Sequence, residues 1–165
     1  MLNADNSLYA IPGWGFSADI FNCLLTDVFD INGLDYVNAP TSTFESMVNY
    51  LSTDIPDNSA LVAWSFGGLL AIKLAILFPN KIKKLILISS QPRFLADKDW
   101  QGIDVAYANK FIFRFARDAN KQIKRFVSLV GQPDVSIEGN EVLINYFLSD
   151  HIAKLSSQLS MLFKN

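Results

Sequence analysis

The chain has 165 residues, of which half are hydrophobic and 18% are charged, and its formal net charge is −2. This composition predicts a globular chain with a sizeable core, excludes a disordered one, and gives no reason to expect a nucleic-acid partner. The single cysteine, Cys23, excludes an internal disulfide and favours a reducing compartment. We see no signal peptide and no apolar run near the roughly 20 residues that span a bilayer, so we expect a cytoplasmic protein without a membrane anchor.

Strands and helices alternate in the first half of the chain. Ser17 and Thr43 are candidate N-caps for two helices, and a third helix extends from Leu69 to Phe78. The continuous apolar run at the end of this half is typical of a strand that is buried on both faces. Alternating elements predict an α/β fold with a parallel sheet of about four strands. The predicted strands are Leu8–Ile11, Asp35–Asn38, Leu61–Ala63 and Ile82–Ile88.

Only helical patterning follows in the second half of the chain. We expect residues 1–102 to form the sheet-containing core and residues 103–165 to form a helical lid over the carboxyl ends of the strands. The predicted lid helices are Val105–Ala116, Asn120–Val130, Asn140–Leu148 and His151–Phe163.

Ser65 stands at the point where an apolar strand passes directly into a helix. The surrounding residues, A-W-S-F-G, match the small-x-Ser-x-Gly pattern of a nucleophile elbow, with Ala63 where glycine is more usual and Gly67 at the second small position. Such patterns also occur by chance, but the strand before and the helix after favour a nucleophilic serine.

The turn P-G-W-G after the first strand offers a partner for that serine. In this architecture the oxyanion hole uses the backbone N–H after the nucleophile, here Phe66, and one from the loop after an early strand, here Trp14. The alternative is an ordinary strand-ending turn.

A general base is hard to identify. The only histidine, His151, lies beside an apolar helical pattern, where a structural or surface role is the commoner one. It is a weak candidate for the base, because the expected histidine follows a last strand and no such strand is visible. Without a base Ser65 is a poor nucleophile, so we expect little esterase activity from this chain alone.

Three segments carry a resemblance to a known family: P-G-W-G-F-S-A-D-I-F, A-W-S-F-G-G-L-L-A, and the stretch from Phe78 to Ile103 with S-S-x-P-x-F and W-x-G-I. Together they resemble the pimeloyl-[acyl-carrier protein] methyl ester esterases of biotin synthesis, which are α/β-hydrolases with a four-helix lid. The resemblance implies a serine carboxylesterase with Ser65 as nucleophile and Trp14 and Phe66 as oxyanion donors. The family continues after its lid with strands that bring the catalytic Asp and His. We therefore expect this chain to lack the last strands of the fold, with a second polypeptide as one possible source of them.

Basic residues cluster in the predicted lid, and the resemblance gives them a possible role. Acyl-carrier proteins are acidic, so a basic lid would attract one, although a solvated helix face is the commoner meaning of such a run. Asp118 is a candidate N-cap that would divide the run between two helices. Phe111 is expected in the core or in the lining of an acyl tunnel. The basic residues are Lys110, Arg114, Arg117, Lys121, Lys124 and Arg125.

Three functions remain open from the sequence. The first is hydrolysis of the methyl ester of pimeloyl-acyl-carrier protein, the second is a general small-ester hydrolase of the same fold, and the third is a truncated, inactive domain. None of them requires a cofactor or a metal ion, and we expect neither.

Overall fold

The computed structural model describes residues 7–22, 29–40, 43–132 and 137–163. The chain divides into two compact units, Met1–Pro92 and Arg93–Asn165.

A parallel four-stranded sheet forms the centre of the first unit. Its strands β1 to β4 lie in the order β2-β1-β3-β4, and every neighbouring pair is parallel. This confirms the predicted fold class. The strands are β1 (Ser7–Ile11), β2 (Asp30–Gly33), β3 (Ser59–Trp64) and β4 (Ile82–Ile88).

Two α-helices in the described part of this unit supply much of its core. Helix α1 (Phe44–Asp54) begins where predicted, because the Thr43 hydroxyl accepts a hydrogen bond from the Ser46 N–H at 3.2 Å. Helix α2 (Phe66–Leu77) follows β3 without a loop. Buried side chains of both helices and of the central strands make up the core, among them Ile11, Met47, Leu51, Leu61, Leu70 and Leu74.

The helix predicted after Ser17 is only partly described. Ser17 does act as an N-cap, because its hydroxyl accepts a hydrogen bond from the Asp19 N–H, but the turn that follows, Ala18–Phe21, is a 3-10 helix. The continuation predicted through Leu24 and Leu25 lies outside the described residues.

The prediction of the second strand was wrong. The strand is Asp30–Gly33, and the segment predicted as extended, Asp35–Asn38, contains a 3-10 turn at Tyr36–Asn38. Side-chain bonds favour the turn: the Asp35 carboxylate accepts from the Ala18 N–H at 2.7 Å, and the Tyr36 hydroxyl donates to the Gly13 carbonyl at 2.9 Å. The true strand is half-exposed and polar, so it lacks the apolar pattern of a core strand.

The bounds predicted for β4 are confirmed, but its predicted burial on both faces is wrong. The strand lies at an edge of the sheet, with β3 as its partner among the described residues. Ile86, Leu87 and Ile88 are each more than 40% exposed. Apolar sequence alone therefore did not indicate whether this strand had two neighbours.

The second unit is helical in the part of it that is described. Most of the buried side chains described in this unit come from three of its helices and include Phe115, Ile123, Val127, Leu155 and Leu159. Two isolated bridges, Leu95–Ile103 and Asp97–Trp100, precede the helices, and the described residues of this unit form no strand. No helix in the described ranges is long and apolar enough to cross a membrane. The helices are α3 (Val105–Arg117), α4 (Ala119–Val130), α5 (Ile137–Asn145) and α6 (Ile152–Leu162).

Candidate active site

The strand order of the first unit marks the place where a site is expected. Strands β1 and β3 are neighbours at the centre of the sheet. From β1 the chain continues to β2 on one side, and from β3 it continues to β4 on the opposite side. In open α/β sheets, ligands bind at the carboxyl ends of the strands where the order reverses in this way. Ile11 pairs with Ala63, so the segments beginning at Pro12 and Trp64 leave the sheet side by side.

Ser65 forms the turn between β3 and α2. Its φ of 51° and ψ of −118° are unusual for a residue with a side chain, and such strain is typical of a nucleophile elbow. The turn is held from both sides: the Ser65 N–H donates to the Ile88 carbonyl at 2.9 Å, and the Gly68 N–H donates to the Ser65 carbonyl at 2.9 Å. The Ser65 side chain is half-buried, so a reactant could reach it.

Gly67 allows the start of α2 to approach the end of β1. A Cβ at this position would lie 2.6 Å from the Ile11 carbonyl oxygen and would also meet the carbonyl oxygen of Pro12. The sequence pattern predicted a small residue here because strand and helix nearly touch at an elbow. The contact brings the P-G-W-G turn next to the elbow.

The P-G-W-G turn packs closely on the strand that carries the elbow. A Cβ on Gly13 would lie 3.0 Å from the Trp64 ring, and Gly15 has a φ of 82° that favours glycine. The Phe16 N–H donates to the Gly13 carbonyl at 3.2 Å and closes the turn. Trp14 is buried, with 4% of its surface exposed.

Phe66 is the first residue of α2. Its backbone N–H is therefore one of the N-terminal donors that no carbonyl of the same helix can accept, and the helix dipole makes this end positive. Both features suit a donor to an oxyanion. The two sequence-predicted donors thus belong to neighbouring segments at the carboxyl edge of the sheet.

Ser90 connects the end of β4 to the elbow. Its hydroxyl is within hydrogen-bond distance of the Ser65 carbonyl, at 2.8 Å, and of the Ile88 carbonyl, at 3.1 Å. Ser89 beside it has a φ of 45°. The sequence placed these two serines at a strand end but indicated no role for them.

Tyr36 is a site neighbour that sequence reasoning missed. Its side chain is buried, its hydroxyl donates to the Gly13 carbonyl, and its ring meets that of Phe66 edge-on, with centroids 5.3 Å apart. Burial raises the pKa of this phenol well above its usual value, and the nearby Asp35 carboxylate raises it further. The phenol therefore keeps its proton at neutral pH. Tyr36 and Gly13 are 23 positions apart, so no local sequence pattern could have predicted their contact.

His151 belongs to the second unit. It ends the 3-10 turn Ser149–His151, its N–H donates to the Leu148 carbonyl at 3.0 Å, and its side chain is half-buried. The first unit contains no histidine, because the chain has only this one. The first unit therefore contains Ser65 and the two predicted backbone donors but no imidazole.

Four of the predicted basic residues line one cleft of about 370 Å³ at the junction of α3 and α4. The junction is formed by Asp118, whose carboxylate accepts from the Lys121 N–H at 3.0 Å and caps α4, as predicted. Within the described part of the chain, no carboxylate forms an ion pair with the basic groups of the cleft. Lys124 is exposed on α4 but does not line it. The lining residues are Arg114, Arg117, Asp118, Lys121, Gln122 and Arg125.

Phe111 lies in an aromatic cluster between the helices of the second unit. Its ring meets Phe126 edge-on with centroids 5.8 Å apart, and Phe126 in turn meets Phe147 at 6.4 Å. Edge-to-face pairs of this kind stabilise helix packing. These contacts place Phe111 in the packing between helices; a lining role toward an acyl chain stays a prediction.

Comparison with known proteins identifies the family of this chain. A family model described as the alpha/beta hydrolase fold matches residues 11–130, which include both the P-G-W-G turn and the elbow. The chain belongs to the alpha/beta hydrolase family. This membership confirms the family implied by the sequence motifs.

Curated relatives within the family share one name. The chain is 35% identical over 130 residues to a pimeloyl-[acyl-carrier protein] methyl ester esterase of Legionella pneumophila (strain Corby), covering 74% of this chain and 54% of that protein. It is 31% identical over 132 residues to the esterase of the same name from Wigglesworthia glossinidia brevipalpis, covering 74% of this chain and 51% of the relative. The chain thus spans about half the length of these curated relatives.

Solved structures support the fold of this alpha/beta hydrolase. An esterase from Exiguobacterium antarcticum matches with a TM-score of 0.84 at 17% identity, covering 97% of this chain and 66% of that one. A hydrolase from Oleispira antarctica matches with a TM-score of 0.85 at 14% identity, covering 99% of this chain and 67% of that one. At these identities the likeness concerns the fold alone.

Proposed function

We propose that this chain is the nucleophile-bearing part of a serine carboxylesterase that hydrolyses the methyl ester of pimeloyl-acyl-carrier protein. The observation that carries the proposal is the strained turn at Ser65, which lies at the topological switch point beside the P-G-W-G turn. The names of the curated relatives support the choice of substrate.

The proposed reaction has two steps. The Ser65 hydroxyl attacks the ester carbonyl carbon, and the resulting oxyanion accepts hydrogen bonds from the N–H groups of Trp14 and Phe66. The base takes the Ser65 proton during this attack; collapse of the intermediate then breaks the bond to the methoxy group, which takes that proton from the protonated base and leaves as methanol. Water then attacks the acyl-enzyme, releasing the carboxylate and restoring the Ser65 hydroxyl.

Two different residues are candidates for the base that accepts the Ser65 proton. One is His151, the only histidine in this sequence. The other is a residue outside this sequence, which the half-length coverage of the relatives makes reasonable. Comparing His151→Ala with the unchanged chain separates the two, because only the first candidate predicts a loss of Ser65 reactivity.

The basic cleft of the second unit is the proposed docking site for the acidic carrier protein. Three arginines and one lysine surround it, and the described residues place no ion-pair partner on them, so their charge is available to an acidic surface. Arg117 also lies 5.7 Å above the ring of Phe113, which limits its movement and reduces the entropy lost on binding.

Labelling with a fluorophosphonate tests the nucleophile. We expect mass spectrometry to find the probe on Ser65, at a slow rate because the first unit contains no histidine to activate this serine, and Ser65→Ala to abolish labelling. Ser128→Ala in α4 serves as the matched control, since it removes a serine hydroxyl that does not bond to the elbow. Labelling of another serine, or equal labelling of Ser65→Ala, would refute the proposed nucleophile.

Charge reversal tests the docking site. We expect Arg117→Glu and Arg125→Glu each to weaken binding of pimeloyl methyl ester-loaded acyl-carrier protein by about tenfold at low salt, whereas Lys124→Glu has a much smaller effect. Lys124 carries the same charge, on the same helix as Arg125, but does not line the cleft. Equal losses in all three variants would indicate attraction by net charge alone and contradict a specific cleft.

A further inference from the structure

Tyr36 contacts both segments that would form the oxyanion hole. Its hydroxyl donates to the Gly13 carbonyl at 2.9 Å, and its ring lies edge-on to Phe66, with centroids 5.3 Å apart and planes at 72°. The side chain is buried, so water does not compete for the hydroxyl. A single side chain therefore connects the P-G-W-G turn with the start of α2.

The bond to Gly13 acts on Trp14 through the geometry of the peptide group. The carbonyl of Gly13 and the N–H of Trp14 belong to the same planar peptide, in which they point in opposite directions. Holding the Gly13 oxygen therefore sets the direction of the Trp14 N–H. A hydrogen bond to the carbonyl also polarises the peptide and makes its N–H a better donor.

The rest of this loop is held by the residue before Tyr36. The Asp35 carboxylate accepts from the Ala18 N–H at 2.7 Å, and the Phe16 N–H adds a second bond to the Gly13 carbonyl at 3.2 Å. Two consecutive residues after β2 thus hold the loop at two points. The ring of Phe44 also packs against Phe66, with centroids 6.4 Å apart, and limits movement of that side chain.

We propose that Tyr36 is a positioning residue of the oxyanion hole. Its hydroxyl orients the peptide that carries the Trp14 N–H. Its ring packs against Phe66, whose N–H is the second donor, and fixes the position of that residue. This inference rests on the proposed function, in which those two N–H groups stabilise the oxyanion. Tyr36 itself does not touch the substrate in this scheme.

The test compares Tyr36→Phe with Tyr9→Phe. The first removes only the hydroxyl and keeps the ring, and the second removes a hydroxyl from β1 that has no hydrogen bond among the described residues. In 15N–1H spectra of the folded proteins, we expect Tyr36→Phe to move the Trp14 backbone amide resonance and Tyr9→Phe to leave it in place. Fluorophosphonate labelling of Ser65 should slow by about tenfold in Tyr36→Phe alone.

Substitution of 3-fluorotyrosine at position 36 gives a second variant that keeps the fold. Its hydroxyl is a stronger donor, so we expect the Trp14 amide resonance to move in the direction opposite to that seen in Tyr36→Phe. A Trp14 resonance that neither variant moves would overturn the inference. If the probe does not distinguish the unchanged chain from Ser65→Ala, the proposed function fails, and the Trp14 resonance still decides the role of Tyr36.

Discussion

Gly67 is a helical residue whose replacement by alanine should reverse the usual effect on stability. Alanine normally favours a helix over glycine by about 1 kcal/mol. At Gly67, however, the added Cβ would lie 2.6 Å from the Ile11 carbonyl oxygen, and backbone atoms cannot withdraw cheaply. We expect Gly67→Ala to lower the free energy of unfolding by about 2 kcal/mol or more, measured by urea denaturation. Equal or greater stability of the variant would show that strand and helix are not in contact there.

Tyr36 should make the stability of the protein fall at alkaline pH. Its pKa is raised in the folded state by burial and by Asp35, whereas in the unfolded chain it is about 10. Above pH 10 the unfolded chain therefore loses this proton first, and stability declines with rising pH toward the folded-state pKa; below pH 10 the group contributes no pH dependence.

We expect Tyr36→Phe to show a smaller loss of stability between pH 9 and pH 11 than the unchanged chain. Urea denaturation at several pH values measures it, and Tyr9→Phe is the control for general alkaline effects. A loss identical in Tyr36→Phe and the unchanged chain would contradict the assigned cause.

The residues of the candidate site differ in how far the sequence revealed them. Ser65 and Gly67 lie within one short segment, so local spacing was enough to predict the turn and the small residue. Tyr36 reaches Gly13 across 23 positions, and its apolar neighbours favoured a strand instead. Side-chain bonds overrode that propensity, as is common where local rules are broken near a functional site.

At the scale of elements, Asp118 has two separable effects at the junction of α3 and α4. Its carboxylate caps α4, and its negative charge lies among the basic residues of the cleft. Asparagine is an equally good N-cap without the charge. We expect Asp118→Asn to keep its stability and to bind acyl-carrier protein several-fold more tightly at low salt.

Asp118→Ala is the matched variant, and we expect it to lose about 1 kcal/mol of stability in thermal or urea unfolding. Carrier binding and unfolding are measured on the same purified preparation of each variant. Unchanged carrier binding in Asp118→Asn would argue that the carrier does not contact this cleft.

Elements were predicted best where their signals are local. The caps at Thr43 and Asp118 and the continuous helix after Ser65 depend on neighbours within a few positions. The second strand was misplaced because Asp30–Gly33 is short, polar and half-exposed at the edge of the sheet. The burial of β4 was misjudged because its apolar sequence is compatible both with an edge and with a central position.

At the scale of the whole molecule, the open edge of β4 should promote association. Ile86, Leu87 and Ile88 expose apolar surface on a strand whose partner among the described residues is β3, and such an edge is a template for pairing with another chain. We expect the 165-residue polypeptide to form concentration-dependent oligomers in sedimentation experiments, and Ile86→Lys to reduce them. Ile76→Lys, on the exposed side of α2, is the control for a general change of charge. Monomers at all concentrations would contradict this expectation.

The strand order has a consequence for where the protein opens first. Local unfolding of a sheet begins at its edges, which here are β2 and β4, and reaches β1 and β3 only after those have separated. The P-G-W-G turn and Ser65 both emerge from these two interior strands. Amide hydrogens of β1 and β3 should therefore exchange with solvent most slowly, whereas opening of β4 would withdraw the Ile88 carbonyl that holds the strained turn at Ser65.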